Sequence, residues 1–501
     1  MIKSTADYHL ATSYDRYDMK GHFIDWENQP GLYKSYAGVE AIPLPKVTEF
    51  PEKSLWGLDH EPGKQTDPGG LDLYLLSRIF SVGYSHTAKR PHENNYFYYR
   101  SAASAGALYP NEIYLGAYNI KALNHGLYHY DIGNMALTPL RSGDFSRYTA
   151  ETIGQIDAKE LVATFFVTAI FFRSAWKYRA RAFRYVLLDA GHILENLILA
   201  LKAEGLSFTL HYDFKDERLG RLIGLDSRRE VCFACINVHG KSSSTSPAHI
   251  NIEPLTPEFI EAGRVSKHEI LYDEIQDIYR AGIRIPEKVE TDPCISKDLG
   301  VVAGRWIRID RKKIIKREMG FVESVIKRRS RRNFINRSLP KNVFMRLLDL
   351  ICFSWDQNSS EEHFSSSSIT IGFLTDNIEK FQSGFYLMDP LEWKIGLVTG
   401  EKLIDKMASV CLDQKWLRNA CVHFLFVTNL AVIDKNWGSR GYRYAMLNAG
   451  RMGQTIYIGA TALGLGCCGI GALYDGEAKN LLGLNNESVL LYLVAIGSVT
   501  K

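Results

Sequence analysis

Arg328-Arg329-Ser330-Arg331-Arg332 packs four guanidinium groups and a hydroxyl into five residues, just ahead of a predicted helix. Guanidinium forks beside a hydroxyl are the donor set that grips a phosphate, and a solvated basic run is the plainer alternative. A second segment, Ser101-Ala102-Ala103-Ser104-Ala105-Gly106-Ala107 before Leu108-Tyr109-Pro110, is small throughout. Residues of that size let backbone lie against a planar ring system, or simply form a turn. A third segment, Gly464-Leu465-Gly466-Cys467-Cys468-Gly469, spells a dinucleotide fingerprint. It follows a predicted helix and leads into an extended stretch, the reverse of the strand-then-helix order that brings phosphate to a helix start. A dinucleotide fold is therefore set aside. Close-packed glycines could still bring backbone N–H groups up to a flat ligand, with helix termination as the alternative. Cys232 and Cys235 form a C-x-x-C inside a predicted strand, where residues three apart point to opposite faces. No second C-x-x-C completes a zinc site, so buried structural thiols and no metal are expected.

These segments lie on a duplicated framework. Arg184-Tyr185 with Asp189-Ala190-Gly191 returns as Arg443-Tyr444 with Asn448-Ala449-Gly450, an offset of 259 residues (184 to 443). The register holds without a gap to Gly224-Leu225 against Gly483-Leu484. The serine-alanine-glycine segment occurs only in the first copy, where Gly205-Leu206-Ser207 stands for Gly464-Leu465-Gly466. The arginine segment occurs only in the second, and the stretch before Leu71 offers Asp67-Pro68-Gly69-Gly70 in its place. In place of the small-residue segment the second copy has only the serine run Ser365–Ser368.

A chain of 501 residues, 46% hydrophobic and 23% charged, accommodates two such units with ample core. A net charge of +4 gives no support for general nucleic-acid binding, although Arg305 to Arg332 is locally basic. The first residues lack the apolar core of a signal peptide, and no window has the length of a membrane span, so a cytoplasmic protein is expected. Eight cysteines are too sparse for a disulfide scaffold.

Hydrophobic periodicity predicts a helix over 71–82, strands over 113–118, 127–130 and 164–172, a long helix over 182–204 ended by Gly205, and a strand over 232–238. Serine- and proline-rich sequence follows, with a helix near 269–279 and a turn at Pro286. The second half repeats the order: helix 340–354, strands 369–375, 384–388 and 422–430, helix 443–463, strand 490–496. The fold class is α+β, two tandem sheet-and-helix units forming an intrachain pseudo-dimer. Residues 1–65 read as an N-terminal arm, 66–240 as the first domain, 241–315 as a connector and 316–501 as the second domain. Such a chain carries its own dimer partner, either as a monomer or within a further homo-oligomer.

Together these segments resemble the nitroreductase superfamily, and within it the SagB/McbC-type dehydrogenases that oxidise thiazolines and oxazolines in modified peptides. The resemblance runs through Asp25-Trp26, Gln29-Pro30, Lys34-Ser35-Tyr36, Ile42–Pro45, Ser104–Pro110, Gly126–Asp131, Trp176–Tyr185, Arg328–Phe334 and Gly464–Gly466. It departs from the family at Ala103, where a proline is usual, and in being a duplicated chain. The resemblance implies FMN, held by Arg328, Arg329, Ser330 and Arg332 at the phosphate and ribityl end and by Gly466, Cys467, Cys468, Gly469 and Ile470 at the ring edge. Ser101, Ser104, Ala105 and Gly106 would reach over from the first copy. Each piece is present once, so one FMN per chain is expected. It also implies a catalytic Lys-Tyr pair, Lys177 and Tyr178, where the second copy has Asn436-Trp437. A lysine serves as base only where its surroundings favour the neutral amine.

The implied activity is azoline oxidation in a peptide substrate, with a cyclodehydratase as partner and oxygen reoxidising the flavin. Two alternatives stand beside it: an NAD(P)H-dependent nitro- or quinone reductase acting on small molecules, and a non-catalytic peptide-binding subunit of a biosynthetic complex.

Overall fold

The computed structural model describes residues 2–19, 21–58, 70–92, 95–154, 157–240, 251–285, 295–309, 318–359 and 367–500. The chain divides into two compact units, the first made of Phe23–Lys53 and Leu58–Gln276, the second of Met1–His22, Ser54–Gly57 and Asp277–Lys501. The stretch read as an arm is thus shared between the two bodies, and so is the connector. Ser242–Pro247, Pro286, Asp67–Gly69, Ser365 and Ser366 lie outside the described residues, as does 310–317 of the basic stretch.

In the first unit the strands are β1 (Ile42–Pro43), the hairpin β2 (His86–His92) and β3 (Asn95–Arg100), β4 (Asn111–Ala117), β5 (Gly126–Asp131), β6 (Ala136–Ser142), β7 (Leu161–Ile170), β8 (Ser207–His211) and β9 (Glu230–His239). All but the hairpin form one seven-stranded sheet in the order β1-β6-β5-β4-β7-β9-β8. The second unit contributes β10 (Trp306–Arg308), β11 (Thr370–Thr375), β12 (Gly384–Asp389), β13 (Lys394–Thr399), β14 (Val422–Asn429), β15 (Gly466–Ile470) and β16 (Ser488–Gly497), in the order β10-β13-β12-β11-β14-β16-β15. Both sheets are antiparallel and their orders are the same strand for strand. Even the irregularities repeat. The ladder slips between Leu127 and Tyr128 and again between Phe385 and Tyr386, and between Val167 and Thr168 as between Phe426 and Val427.

Strands β4, β7 and β14 are buried at every position, so they carry continuous apolar runs instead of alternation. The slip opposite Val167 places Phe233 as an extra residue in β9 and resets its side-chain alternation. Cys232 and Cys235 consequently share one hydrophobic cluster, with Tyr114 and Phe166, instead of facing opposite ways. Both thiols are buried, and neither is in a disulfide.

The helices follow the predicted pattern closely. The first long helix spans Ala182–Glu204 and stops at Gly205 in the left-handed region, φ +70°. Its counterpart spans Arg440–Ala462 and begins three residues before the predicted Arg443. The strand expected to reach Phe172 ends at Ile170, because Phe171 and Phe172 already belong to a helix, Phe171–Tyr178.

Sequence outside the sheets is tied down by polar contacts. In the second unit, Ser4 and Asp7 form a capping box for the Thr5–Ala11 helix, Thr5 bonds Asp434, and Arg16 pairs with Glu477 (2.7 Å) and Asp413 (2.6 Å). In the first, Lys34 enters the core to meet Glu230 at 2.6 Å and the Tyr114 hydroxyl at 2.7 Å. Burial opposes the charge on Lys34, yet the facing Glu230 carboxylate prevails and holds the ammonium above its ordinary range. Removing one member of such a buried pair strands the other. Lys34→Ala is therefore expected to cost about 3–5 kcal/mol. Denaturant titration should show it, and a loss below about 1 kcal/mol would mean that the pair is solvated.

Candidate functional site

In the first unit β7 runs without a loop into the Phe171–Tyr178 helix, which ends in a sharp kink at Arg179 (φ +50°, ψ −139°) before the long helix resumes at Ala182. Lys177 and Tyr178 occupy the last two positions before that kink, both half-buried. Tyr178 packs against a cluster of Leu108, Phe172 and Trp176. The Trp176 indole N–H donates to the Asp25 carbonyl at 2.7 Å, so the Asp25-Trp26 segment docks beside the same helix.

The serine-alanine-glycine segment forms a tight turn facing this pair. Gly106, at its exposed tip, has φ +63°, followed by Ala107 at +55° and Tyr109 at +46°. Left-handed residues in such density need outside support. One buried carboxylate supplies it: Asp189 accepts from the Ser104 hydroxyl at 2.5 Å and from the Ala105 N–H at 3.1 Å. Ser104 Oγ in turn accepts the Tyr109 N–H at 2.9 Å, and Arg173 Nη1 donates to the Tyr109 carbonyl at 3.2 Å. A Cβ built on Gly106 would come within 2.7 Å of Tyr178 Oη and 3.4 Å of Lys177 Nζ. Backbone here can approach that hydroxyl and amine only as glycine.

Ser101 stands apart from this arrangement. It is fully buried, donates to the Gly83 carbonyl at 3.0 Å and accepts the Ser85 N–H at 3.2 Å, so its hydroxyl pins the end of the Leu73–Gly83 helix to the chain leaving β3.

In the second unit the structure brings the arginine segment against the glycine strand. Ser330 bridges to Cys467 in parallel fashion, with the Arg331 N–H donating to the Cys467 carbonyl at 2.8 Å. Tyr457 knits the two together: its hydroxyl lies 3.0 Å from Ser330 Oγ and accepts the Gly469 N–H at 2.5 Å. The amide expected to face a ring edge is thus bonded within the protein. Arg328 is buried with its guanidinium 5.5 Å from the Tyr457 ring centre. Arg329 donates to the Ile326 and Arg328 carbonyls, at 2.9 and 2.5 Å, and Arg332 lies 5.9 Å from the Trp416 ring. Burial pushes the Cys467 and Cys468 thiols up, keeping them protonated, and Ile470 is a buried residue paired with Leu493. A Cβ on Gly466 would strike Val499 at 2.1 Å, so glycine is what lets this strand lie so close. Three guanidinium side chains and a serine hydroxyl on one short segment form a donor set suited to a phosphate.

Two residues absent from the motif reading complete these arrangements. Asp189 was visible as a carboxylate in the middle of a largely buried helix, where its counterpart is Asn448. Tyr457 was visible as a phenol standing where the first copy has Ile198. Asn448 makes a different bond from Asp189, its Nδ2 donating to Ser368 Oγ at 3.1 Å. The counterparts of Lys177 and Tyr178 are Asn436, whose amide donates to the Val432 carbonyl at 2.7 Å, and a buried Trp437.

Gly106→Ala, with φ positive and Tyr178 in the way, is expected to destabilise the protein by about 1–3 kcal/mol, read as a lower denaturation midpoint. An unchanged midpoint would mean that the turn is slack. Burial, opposed by the Ser104 and Ala105 hydrogen bonds, pushes the Asp189 carboxyl up to about 7 from 3.8. A raised carboxyl favours the folded state fully only below its unfolded value, and that contribution fades as pH rises through about 7. Relative to Asp189→Asn, the wild type should lose stability between pH 5 and pH 8. Equal differences at the two pH values would contradict this.

Similarity to known proteins agrees with this architecture. The nitroreductase family model matches residues 70–241 and 325–498. A protein of Methanocaldococcus jannaschii described as a nitroreductase is 26% identical over 181 residues, covering 35% of this chain and 89% of its own length. The microcin B17-processing protein McbC of Escherichia coli is 27% identical over 220 residues, 38% of this chain and 77% of McbC. A crystal structure from Anabaena variabilis, described as a nitroreductase, superposes with a TM-score of 0.78 over the whole of both chains at 23% identity and shares the fold. The resemblance to McbC-type proteins read from the motifs is met by McbC itself among these relatives. With both halves matched, the chain belongs to the nitroreductase family and carries its domain twice.

Proposed function

We propose that the protein is an FMN-dependent peptide azoline dehydrogenase, one that converts thiazoline or oxazoline rings to their aromatic forms in the cytoplasm. The observation that carries this reading is the half-buried Lys177–Tyr178 pair beneath the Gly106 turn, in one copy only, replaced in the other by a self-bonded asparagine and a buried tryptophan. The relationship to a microcin-processing protein supports a peptide as the substrate.

Oxidising an azoline removes one hydride and one proton. FMN, when bound, would supply the two-electron acceptor for that hydride, with oxygen as the final oxidant. Arg328, Arg329, Ser330 and Arg332 supply the cationic and hydroxyl donors for its phosphate and ribityl chain, beside the glycine strand from Gly466 to Ile470. The small residues Ser104, Ala105 and Gly106 leave room for backbone to lie against a planar ring. Lys177 takes the ring proton, and Tyr178 hydrogen-bonds the substrate and orients it toward that amine. A cyclodehydratase supplies the azoline, because this chain oxidises a ring and does not close one.

Purified holoprotein should hold one FMN per chain, counted by flavin absorbance against protein mass. It should also remove two daltons from an azoline-bearing peptide. Lys177→Ala should lower turnover by about 10²–10⁴-fold, the usual worth of a positioned acid–base group, while keeping its flavin. Unchanged turnover would remove Lys177 from the chemistry. Rapid bleaching of the flavin by NAD(P)H, with no effect on azoline peptides, would make the protein a nitro- or quinone reductase instead.

A further inference from the structure

Asp189 plays no part in the chemistry described above, yet everything facing Lys177 and Tyr178 from the turn hangs on it. It sits within the Ala182–Glu204 helix, 4% exposed, and both hydrogen bonds on its carboxylate come from the turn. The helix of Lys177 and the helix of Asp189 are joined through the kink at Arg179, so the carboxylate is fixed relative to the pair it serves. Arg173, one helical turn before Lys177, holds the far end of the same turn through the Tyr109 carbonyl. Gly106 lies between these two anchors. Its neighbours Ala107 and Tyr109 are strained in the left-handed region, and a turn of that shape relaxes once an anchor is lost.

We propose that Asp189 is a positioning residue of the reaction: by gripping Ser104 and Ala105 it sets the clearance between the Gly106 turn and the Lys177–Tyr178 pair, and so the geometry at which substrate meets the proton acceptor. The catalytic part rests on the azoline-dehydrogenase reading. The mechanical part, that the carboxylate controls access to Lys177, does not. An asparagine at 189 keeps the shape but offers one acceptor oxygen where the carboxylate offers two, so Ser104 and Ala105 must share it and the grip is weakened. The chain itself tolerates asparagine at the matching position of the other copy, Asn448.

The test uses the full-length flavin-loaded protein with Asp189→Asn and Asp189→Ala. Two quantities are read: turnover of an azoline peptide, and the rate at which an amine-acylating ester modifies Lys177, followed by mass spectrometry of the Lys177 peptide. Positioning predicts that kcat falls by about tenfold or more, as for reacting groups misplaced by a fraction of an ångström, with KM within about twofold and flavin content unchanged. It also predicts that Lys177 labelling changes by about threefold or more, by the loss of one hydrogen bond's worth of restraint. If both variants retain wild-type kcat and wild-type labelling, the proposal is overturned. If wild type itself does not oxidise azolines but the variants alter Lys177 labelling, the mechanical role stands and the functional reading falls. Should the alanine variant fail to fold, the asparagine variant decides alone.

Discussion

A strand that passes straight into a helix, with no loop between, dictates where Lys177 and Tyr178 can stand. β7 becomes the Phe171–Tyr178 helix at Ile170, and β14 becomes the Leu430–Trp437 helix at Asn429. To join the long helix that follows, each chain must reverse within about two residues. It does so by one residue at φ +50° and ψ −139° in the first unit and φ +57° and ψ −159° in the second. That region belongs to glycine, and the second unit has Gly438 there. The first has Arg179, at a cost on the order of 1–3 kcal/mol. The kink holds the two preceding residues at a helix end whose direction neither helix can alter. In the first unit those residues are Lys177 and Tyr178.

The same backbone thus carries different chemistry in its two copies. Strand order is conserved throughout, and so are the two ladder slips. Side chains have diverged in opposite directions. The first copy keeps an amine and a phenol at the kink and a carboxylate at 189. The second has an amide and an indole at the kink and an amide at 448. Where the first has apolar Ile198, the second has Tyr457, whose hydroxyl joins Ser330 to the Gly469 amide. A duplicated fold frees each copy from doing the whole task, and Asp189, Asn436, Asn448 and Tyr457 each find hydrogen-bond partners within their own unit. Function resides in such sites and not in the fold that both share.

Much of this was legible in the residues. Helix and strand positions followed from periodicity, because the long helices and buried strands are long enough for the apolar pattern to dominate local preference. Gly205 as a stop signal needed only its freedom at positive φ. The end of β7 was misplaced because Phe171 and Phe172 suit a strand as well as a helix, and the cap that separates the two is made by backbone alone. The facing of Cys232 and Cys235 was misjudged because a one-residue bulge leaves no mark in composition. Asp189 and Tyr457 were overlooked for a related reason. A motif search looks for clusters along the chain, whereas each of these acts across it, reaching segments 85 and 127 residues away.

The buried charges of the first unit tie its turn and its helix together. Arg173 donates to the Gly31 carbonyl at 2.8 Å and to the Tyr109 carbonyl, and it pairs with Glu112 at 2.5 Å. Burial opposes ionisation of Glu112, but the Arg173 guanidinium and His129, 2.8 Å away, outweigh it and hold the carboxyl down near 2. The carboxylate therefore stays charged at pH below the ordinary carboxylate range and keeps its grip there. Glu112 is anchored in β4, so the sheet itself fixes Arg173, and Arg173 fixes both the helix that bears Lys177 and the last carbonyl of the turn that faces it. Asp189 grips the opposite end of that turn from the long helix. A lysine–tyrosine pair held between two buried anchors, one on the sheet and one on the helix after the kink, can be shifted only by disturbing the core of the unit. This is why strain is tolerated at Ala107, Tyr109 and Arg179 rather than relieved.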